Sequence, residues 1–297
     1  MIVLMEQVLL VVIFAVLGLC MGSFAGATVW RLRAKQLVQD KASKEPYDKQ
    51  EYKRLLPLTK ATLASDRSRC LHCGHTLAWY DLLPLVSWLT TRGRCRYCST
   101  RIGWFEPLIE LGMAAVFVAA YLLWPLPLAA SDQIARFGLW LVAALLLVML
   151  FAYDRKWFLL PNVLVFPLII IGVAVEALHL ATLGSDLVPG LISLAGAIVI
   201  LSGLYYLLWL ISRGRWIGFG DVKLGLGLAL LLGDWQLAFI ALFAANFIGC
   251  LIVLPGLLSG KLSRGTRVPF GPLLIVGFFI AALLGPWILA GYNSLVL

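Results

Sequence analysis

Stretches free of Asp, Glu, Lys and Arg cover residues 8–30, 111–131, 137–153, 157–175, 187–212, 235–260 and 268–297. Each approaches or exceeds the roughly 17–25 residues an α-helix needs to cross a bilayer. A further run, 224–233, reaches that length only if its helix begins at Trp216, which places Asp221 and Lys223 inside a membrane segment. The pattern predicts an all-α polytopic membrane protein with eight transmembrane helices. A long hydrophilic stretch separates the first two. Three regions follow: a first transmembrane helix in 1–30, a polar insert in 31–105, and a seven-helix membrane domain in 106–297.

Composition agrees. Hydrophobic residues make up 62% of the chain and charged residues 13%, against about 45–50% and about 25% in soluble domains. A soluble enzyme, a disordered chain and a simple nucleic-acid-binding domain are excluded despite the net charge of +9. The expected partner is a lipid bilayer, with no nucleic acid. The charge is local: residues 31–103 hold 15 of the 24 Lys and Arg but 6 of the 15 acids, and the remainder is neutral. Basic loops stay on the cytosolic side of a membrane. With the insert placed there, Arg155 and Lys156, Arg213 and Arg215, and Lys261, Arg264 and Arg267 are also cytosolic. Only Arg136 falls outside, and both chain termini face outward. Residues 8–30 are too long, and too poor in charge at their start, for a cleaved signal peptide. Within the insert, 35–60 is strongly charged, and Pro46 is expected to open a short helix through Leu56.

The compact part of the insert carries Cys70-Leu-His-Cys73 and Cys95-Arg-Tyr-Cys98, two Cys-x-x-Cys knuckles 21 residues apart. Four thiolates at this spacing suit one tetrahedral Zn²⁺, and a cytosolic location argues against disulfides. With all four positions filled by protein, no site is left for a reacting water, so the zinc is structural. His72 and His75 could replace a ligand but are expected to be bystanders, Gly74 and Gly93 suit tight turns, and Cys20 and Cys250 are expected to pack in the core.

Ionisable residues at membrane depth are costly and mark function. Asp154 ends the 137–153 run at its cytosolic edge. Asp221 lies five residues into 216–233, about 8 Å deep. Two carboxyls brought to one site from separate helices cannot both ionise easily. They can hold a water between them, one taking its proton while the other protonates a peptide carbonyl. Gly218 and Gly220 precede Asp221 and permit close approach of a substrate strand or a neighbouring helix. Lys223 either snorkels to the surface or tunes Asp221. Glu176 and His179, three apart on one face, are expected to pair, and Gly225, Gly227 and Gly233 read as close helix packing.

At these residues the chain resembles the bacterial type IV prepilin peptidases. The resemblance runs through Gly22-Ser23-Phe24 with Arg31-Leu32, then Cys70-x-x-Cys73, Leu83-Pro84-x-x-Ser87, Cys95-x-x-Cys98 and Pro107-x-x-Glu110. It continues through Asp154 with Leu159-Leu160-Pro161, and Gly218-x-Gly220-Asp221-Val222-Lys223-Leu224. It implies a multi-pass protein of the bacterial inner membrane whose substrates are type IV prepilins or pseudopilins. Their leader would be cut after a glycine at the cytosolic face, with Asp154 and Asp221 catalytic. It further implies methylation of the new N-terminus with S-adenosylmethionine as methyl donor, associated with the cysteine-bearing half. The chain departs from the family pattern at Gly26, Arg33, 81–84 and Glu106, all in that half.

Two other classes fit parts of the pattern. A proton-coupled transporter also uses paired membrane aspartates, but with internal repeats and interrupted helices near mid-bilayer, and neither is visible. A zinc-module scaffold without catalysis would tolerate loss of both aspartates. A peptidase lacking the methyltransferase activity is the remaining variant of the first reading.

Overall fold

In the computed structural model of the chain, residues 2–59, 67–124, 128, 130–260 and 268–296 are described. Lys60, Lys261, Arg264 and Arg267 of the basic loops lie outside them. The regular structure of the described residues is helical, apart from two isolated β-bridges, Arg69 to Thr76 and Arg94 to Arg101. They fall into two compact units, Met1–Tyr121 and Leu122–Leu297.

The first unit contains α1 (Ile2–Ala42), α2 (Lys49–Leu55), α3 (Val86–Thr90) and most of α4 (Phe105–Leu123). α1 does not stop at the membrane edge near Trp30 but runs on through the first polar residues. α2 starts at Lys49 rather than Pro46, because Asp48 caps it: its Oδ1 accepts from the N–H groups of Gln50 and Glu51 at 2.7 and 3.0 Å. Those two bonds hold the Asp48 carboxyl below its usual range. An ion pair between Arg33 and Glu51 (2.8 Å) fastens α2 to α1.

Gly18 and Gly22, one turn apart, bring α1 backbone-to-backbone against α4. A methyl group at Gly18 would sit 2.6 Å from Ala114 Cα, and one at Gly22 would sit 2.5 Å from Glu110 Cα. This small-xxx-small contact is how membrane helices gain packing where lipid supplies no hydrophobic drive. Gly22→Ala is therefore expected to separate the helices at a cost of about 1–3 kcal/mol, read as a lowered thermal midpoint in detergent.

The second unit contains α5 (Ser131–Trp157), α6 (Asn162–Leu180), α7 (Leu187–Ile198), α8 (Leu204–Ser212), α9 (Phe219–Leu232), α10 (Trp235–Leu258) and α11 (Phe270–Val296). A π-helical turn, Val199–Gly203, joins α7 to α8, making one continuous apolar segment, Leu187–Ser212. Tyr153, Leu147, Leu168, Leu224, Leu228 and Phe278 are fully buried at its centre. Phe239, Phe243, Phe247 and Leu251 on α10 face outward, as a lipid-facing surface requires.

Among the described residues, seven helices are long and apolar enough to span. The eighth is not: α9 has 14 residues in place of the 18 expected over 216–233. Gly218 in extended conformation precedes it, and Gly233 (φ 64) ends it in the left-handed region. At 1.5 Å per residue it measures about 21 Å, against a hydrocarbon core of about 30 Å.

The glycines of α9 do pack closely. Gly225 lies directly on the Leu201 carbonyl of the π turn, and a methyl group at Gly227 would sit 3.1 Å from the Leu168 side chain of α6. Ser202, also in the π turn, donates to the Val222 carbonyl of α9 (3.0 Å). Glu176 and His179 do not pair. His179 Nδ1 meets Arg136 at 3.4 Å, while the Glu176 carboxyl lies against Gly233 at the end of α9. Cys20 and Cys250 are exposed rather than in the core.

Candidate active site and metal centre

Asp154 sits in the last turn of α5, where Phe158 closes the helix in the left-handed region and its N–H bonds the Asp154 carbonyl (2.9 Å). The side chain is 5% exposed. Its carboxyl faces the backbone N–H of Gly271 at the start of α11, and a methyl group on Gly271 would lie 2.7 Å from Asp154 Oδ2. Asp221 occupies the third position of α9. Its carboxyl is directed at its own N–H and that of Gly218, where helix N–H groups lack intrahelical partners and favour negative charge.

The two carboxyls are within electrostatic reach of each other. Leu160, on the short connection between α5 and α6, fills the space between their supports: methyl groups at Gly220 and Gly271 would lie 3.2 and 3.4 Å from it. Lys223 is not extended into solvent. Its Nζ donates to Asn162 Oδ1 at the start of α6 and lies over the rings of Phe219 (5.6 Å) and Phe166 (5.7 Å). It therefore ties α9 to α6 two residues beyond Asp221. Two acids on separate helices, backbone donors aimed at each and a glycine beside each form an arrangement that can bind a water and an extended peptide.

Gly271, Phe270 and Tyr205 were not singled out from the sequence, whereas Leu160 entered only as part of the Leu159-Leu160-Pro161 motif. For Gly271 a signal existed: Pro269-Phe-Gly-Pro272 at the head of an apolar run marks a helix entry with one position lacking a side chain. A carboxylate contact 117 residues away is not written in that pattern. Gly271→Ala is expected to displace the Asp154 carboxyl and lower peptidase kcat about tenfold or more, with the helical signal retained by circular dichroism.

In the first unit the four sulfurs of Cys70, Cys73, Cys95 and Cys98 lie within 4.8 Å of one another, with Cys70 and Cys98 at 3.9 Å. Tetrahedral zinc with Zn–S near 2.3 Å requires sulfur separations of about 3.8 Å, so the donor set and its spacing fit. The knuckles are built alike. Cys70 N–H bonds the His75 carbonyl and Gly74 N–H the Cys70 carbonyl. Cys95 N–H bonds the Thr100 carbonyl and Ser99 N–H the Cys95 carbonyl. Gly74 (φ 71) and Ser99 (φ 56) are the matching left-handed residues, while Gly93 (φ 65) serves the turn before the second knuckle. Thr100, whose hydroxyl and N–H both face the Cys98 sulfur, draws that thiol down to about 6, favouring the thiolate a metal needs; burial pushes Cys95 up. His72 bonds Thr100 and His75 stacks on Tyr97, outside the sulfur cluster. Asp81 holds the second knuckle through Arg96 (3.0 Å) and Tyr97 (2.9 Å). Glu110, 7% exposed within α4, accepts from the Leu85 N–H at 2.8 Å, anchoring the module to a membrane helix.

Residues 16–124 match the family model described as Bacterial Peptidase A24 N-terminal domain, and residues 141–254 match that of the Type IV leader peptidase family. A prepilin leader peptidase/N-methyltransferase of Pseudomonas putida is 30% identical over 297 residues, 98% of this chain and 96% of that protein. The chain belongs to the type IV leader peptidase family. Proteins of the same name from Stutzerimonas stutzeri and Dickeya chrysanthemi are 30% and 31% identical. They cover 93% and 91% of this chain, and 91% and 92% of their own lengths. No solved structure matches significantly. Family membership makes the chain a membrane-embedded peptidase. The four cysteines fall within the first matched region, and Asp154 and Asp221 within the second.

Proposed function

We propose that the chain is an intramembrane aspartyl endopeptidase that removes the leader of type IV prepilins and pseudopilins after a glycine, at the cytosolic face of the inner membrane. The observation that carries this function is the pair Asp154 and Asp221, from separate helices, within electrostatic reach and each met by backbone N–H groups. One carboxylate takes a proton from the water held between them. The water oxygen attacks the scissile carbonyl carbon while the other carboxyl protonates the carbonyl oxygen. Collapse of the tetrahedral species returns the proton to the leaving nitrogen. Gly218, Gly220 and Gly271 leave room for the extended peptide, and Lys223 fixes α9 on α6. The basic loops 155–156 and 213–215 at this end of the second unit support its cytosolic placement.

The names of the relatives support a second activity on the same product: transfer of a methyl group from S-adenosylmethionine to the newly exposed amine. Cys70, Cys73, Cys95 and Cys98 would hold zinc, which cross-links the 31–105 module and leaves no open coordination position. Incubating the purified chain with a prepilin peptide and isotope-labelled methyl donor, then weighing the products, tests both activities. Free leader with a labelled mature fragment is expected. Free leader without label removes the methyltransferase alone, and intact substrate in the presence of lipid and zinc removes the peptidase.

A further inference from the structure

Tyr205 lies on α8, two residues past the π-helical turn. Its ring is 4% exposed and packs 5.2 Å from that of Phe270, the residue before the glycine that faces Asp154. Its hydroxyl is within electrostatic reach of Asp221 and has no hydrogen-bond partner among the described residues. Asn246 of α10 approaches the hydroxyl without completing a bond. The Asn246 Nδ2 donates to the Leu242 carbonyl of its own helix (2.8 Å), which leaves the amide oxygen available. Asn246 is exposed and stands at residue 12 of the 24 in α10, an uncharged polar group halfway along an apolar span.

A buried hydroxyl without a partner is destabilising, and phenylalanine would fill the same space without that cost. The π turn that precedes Tyr205 is the kind of local rewinding that re-aims side chains at functional sites. A peptide bond inside a helix is shielded by its neighbours, so cleavage at the end of a hydrophobic stem requires local unwinding. Unwinding frees main-chain carbonyls and N–H groups where there is little water to receive them. The site must supply replacements.

Resting on the aspartyl peptidase function above, we propose that Tyr205 and Asn246 form a backbone-binding subsite for the unwound segment of the substrate. The Tyr205 hydroxyl donates to a main-chain carbonyl freed beside the scissile bond, and the Asn246 amide oxygen accepts from a freed N–H. These contacts arise only once the segment is extended, so they lower the barrier more than they strengthen initial binding.

The test is steady-state cleavage of a prepilin peptide by Tyr205→Phe and Asn246→Ala in the full-length protein. Tyr205→Phe is expected to lower kcat about ten- to a hundredfold with KM changed less than threefold, the pH–rate profile unmoved, and the thermal midpoint equal or raised. Asn246→Ala is expected to lower kcat by a smaller factor in the same direction. An unchanged kcat in Tyr205→Phe overturns the subsite. So does a displaced pH–rate profile, because the hydroxyl would then act through Asp221. Asp154→Asn and Asp221→Asn run alongside: if they cleave normally, the aspartyl function itself fails, whereas if they are inactive while Tyr205→Phe is normal, only the subsite fails.

Discussion

Asp154→Asn and Asp221→Asn are each expected to abolish leader cleavage, by at least about 10³-fold, in protein that still inserts and melts at an undiminished temperature. The substitution keeps the shape of the side chain and removes its ability to exchange a proton. Neither half of the reaction can then be completed: one acid must take the proton of water while its partner gives one to the carbonyl. Stability is expected to hold because Asp154 is buried with no ion pair among the described residues, and the amide oxygen of an asparagine at either position can still accept from the backbone N–H groups that meet the carboxyl. Residual cleavage within tenfold of the unaltered enzyme in either variant, measured by mass spectrometry of the freed leader, would end the two-carboxyl mechanism. The same experiment separates the peptidase from a non-catalytic scaffold, which is indifferent to both changes.

Cys70→Ser or Cys98→Ser is expected to release one zinc ion per chain and to unfold the module without unfolding the membrane helices. The size of this effect follows from what the module lacks. Between residues 67 and 104 the buried hydrophobic side chains reduce to that of Cys95, so apolar burial supplies little. Structural zinc binding in small domains is worth about 10–16 kcal/mol near neutral pH, far more than a few hydrogen bonds around Asp81. Colorimetric release of zinc together with rapid proteolysis inside 67–104 is the expected result. Cleavage is expected to fall less than methylation. Equal and complete loss of both activities with the module still protease-resistant would contradict a purely structural metal.

The spans were legible because a helix in lipid must satisfy its own backbone and carry apolar side chains for its whole length. That requirement writes a strong signal over seven segments. It failed for α9, where two glycine-mediated ends shorten the helix and apolar flanks conceal the shortening. The cysteine knuckles were legible because metal geometry dictates residue type and spacing together, although Ser99 took a left-handed position that sequence reasoning had not marked. The two aspartates stood out by their cost in an apolar setting. Their surroundings did not: Gly271 meets Asp154 across 117 residues and Tyr205 packs on Phe270 across 65, and nothing local in their sequences encodes such neighbours. Glu176 and His179 show the converse error, since spacing on one helix suggested a pair and Arg136, 43 residues from His179, displaced it.

Hydrolysis inside a lipid environment has a supply problem, because the attacking molecule is the one the bilayer excludes. The shortness of α9 bears on it. A helix about 9 Å shorter than the hydrocarbon slab, carrying Asp221 in its first turn, cannot extend a continuous apolar wall across the whole slab. The lipid must thin there or solvent must enter, and either brings a hydrated dimple down to the acids without a dedicated channel.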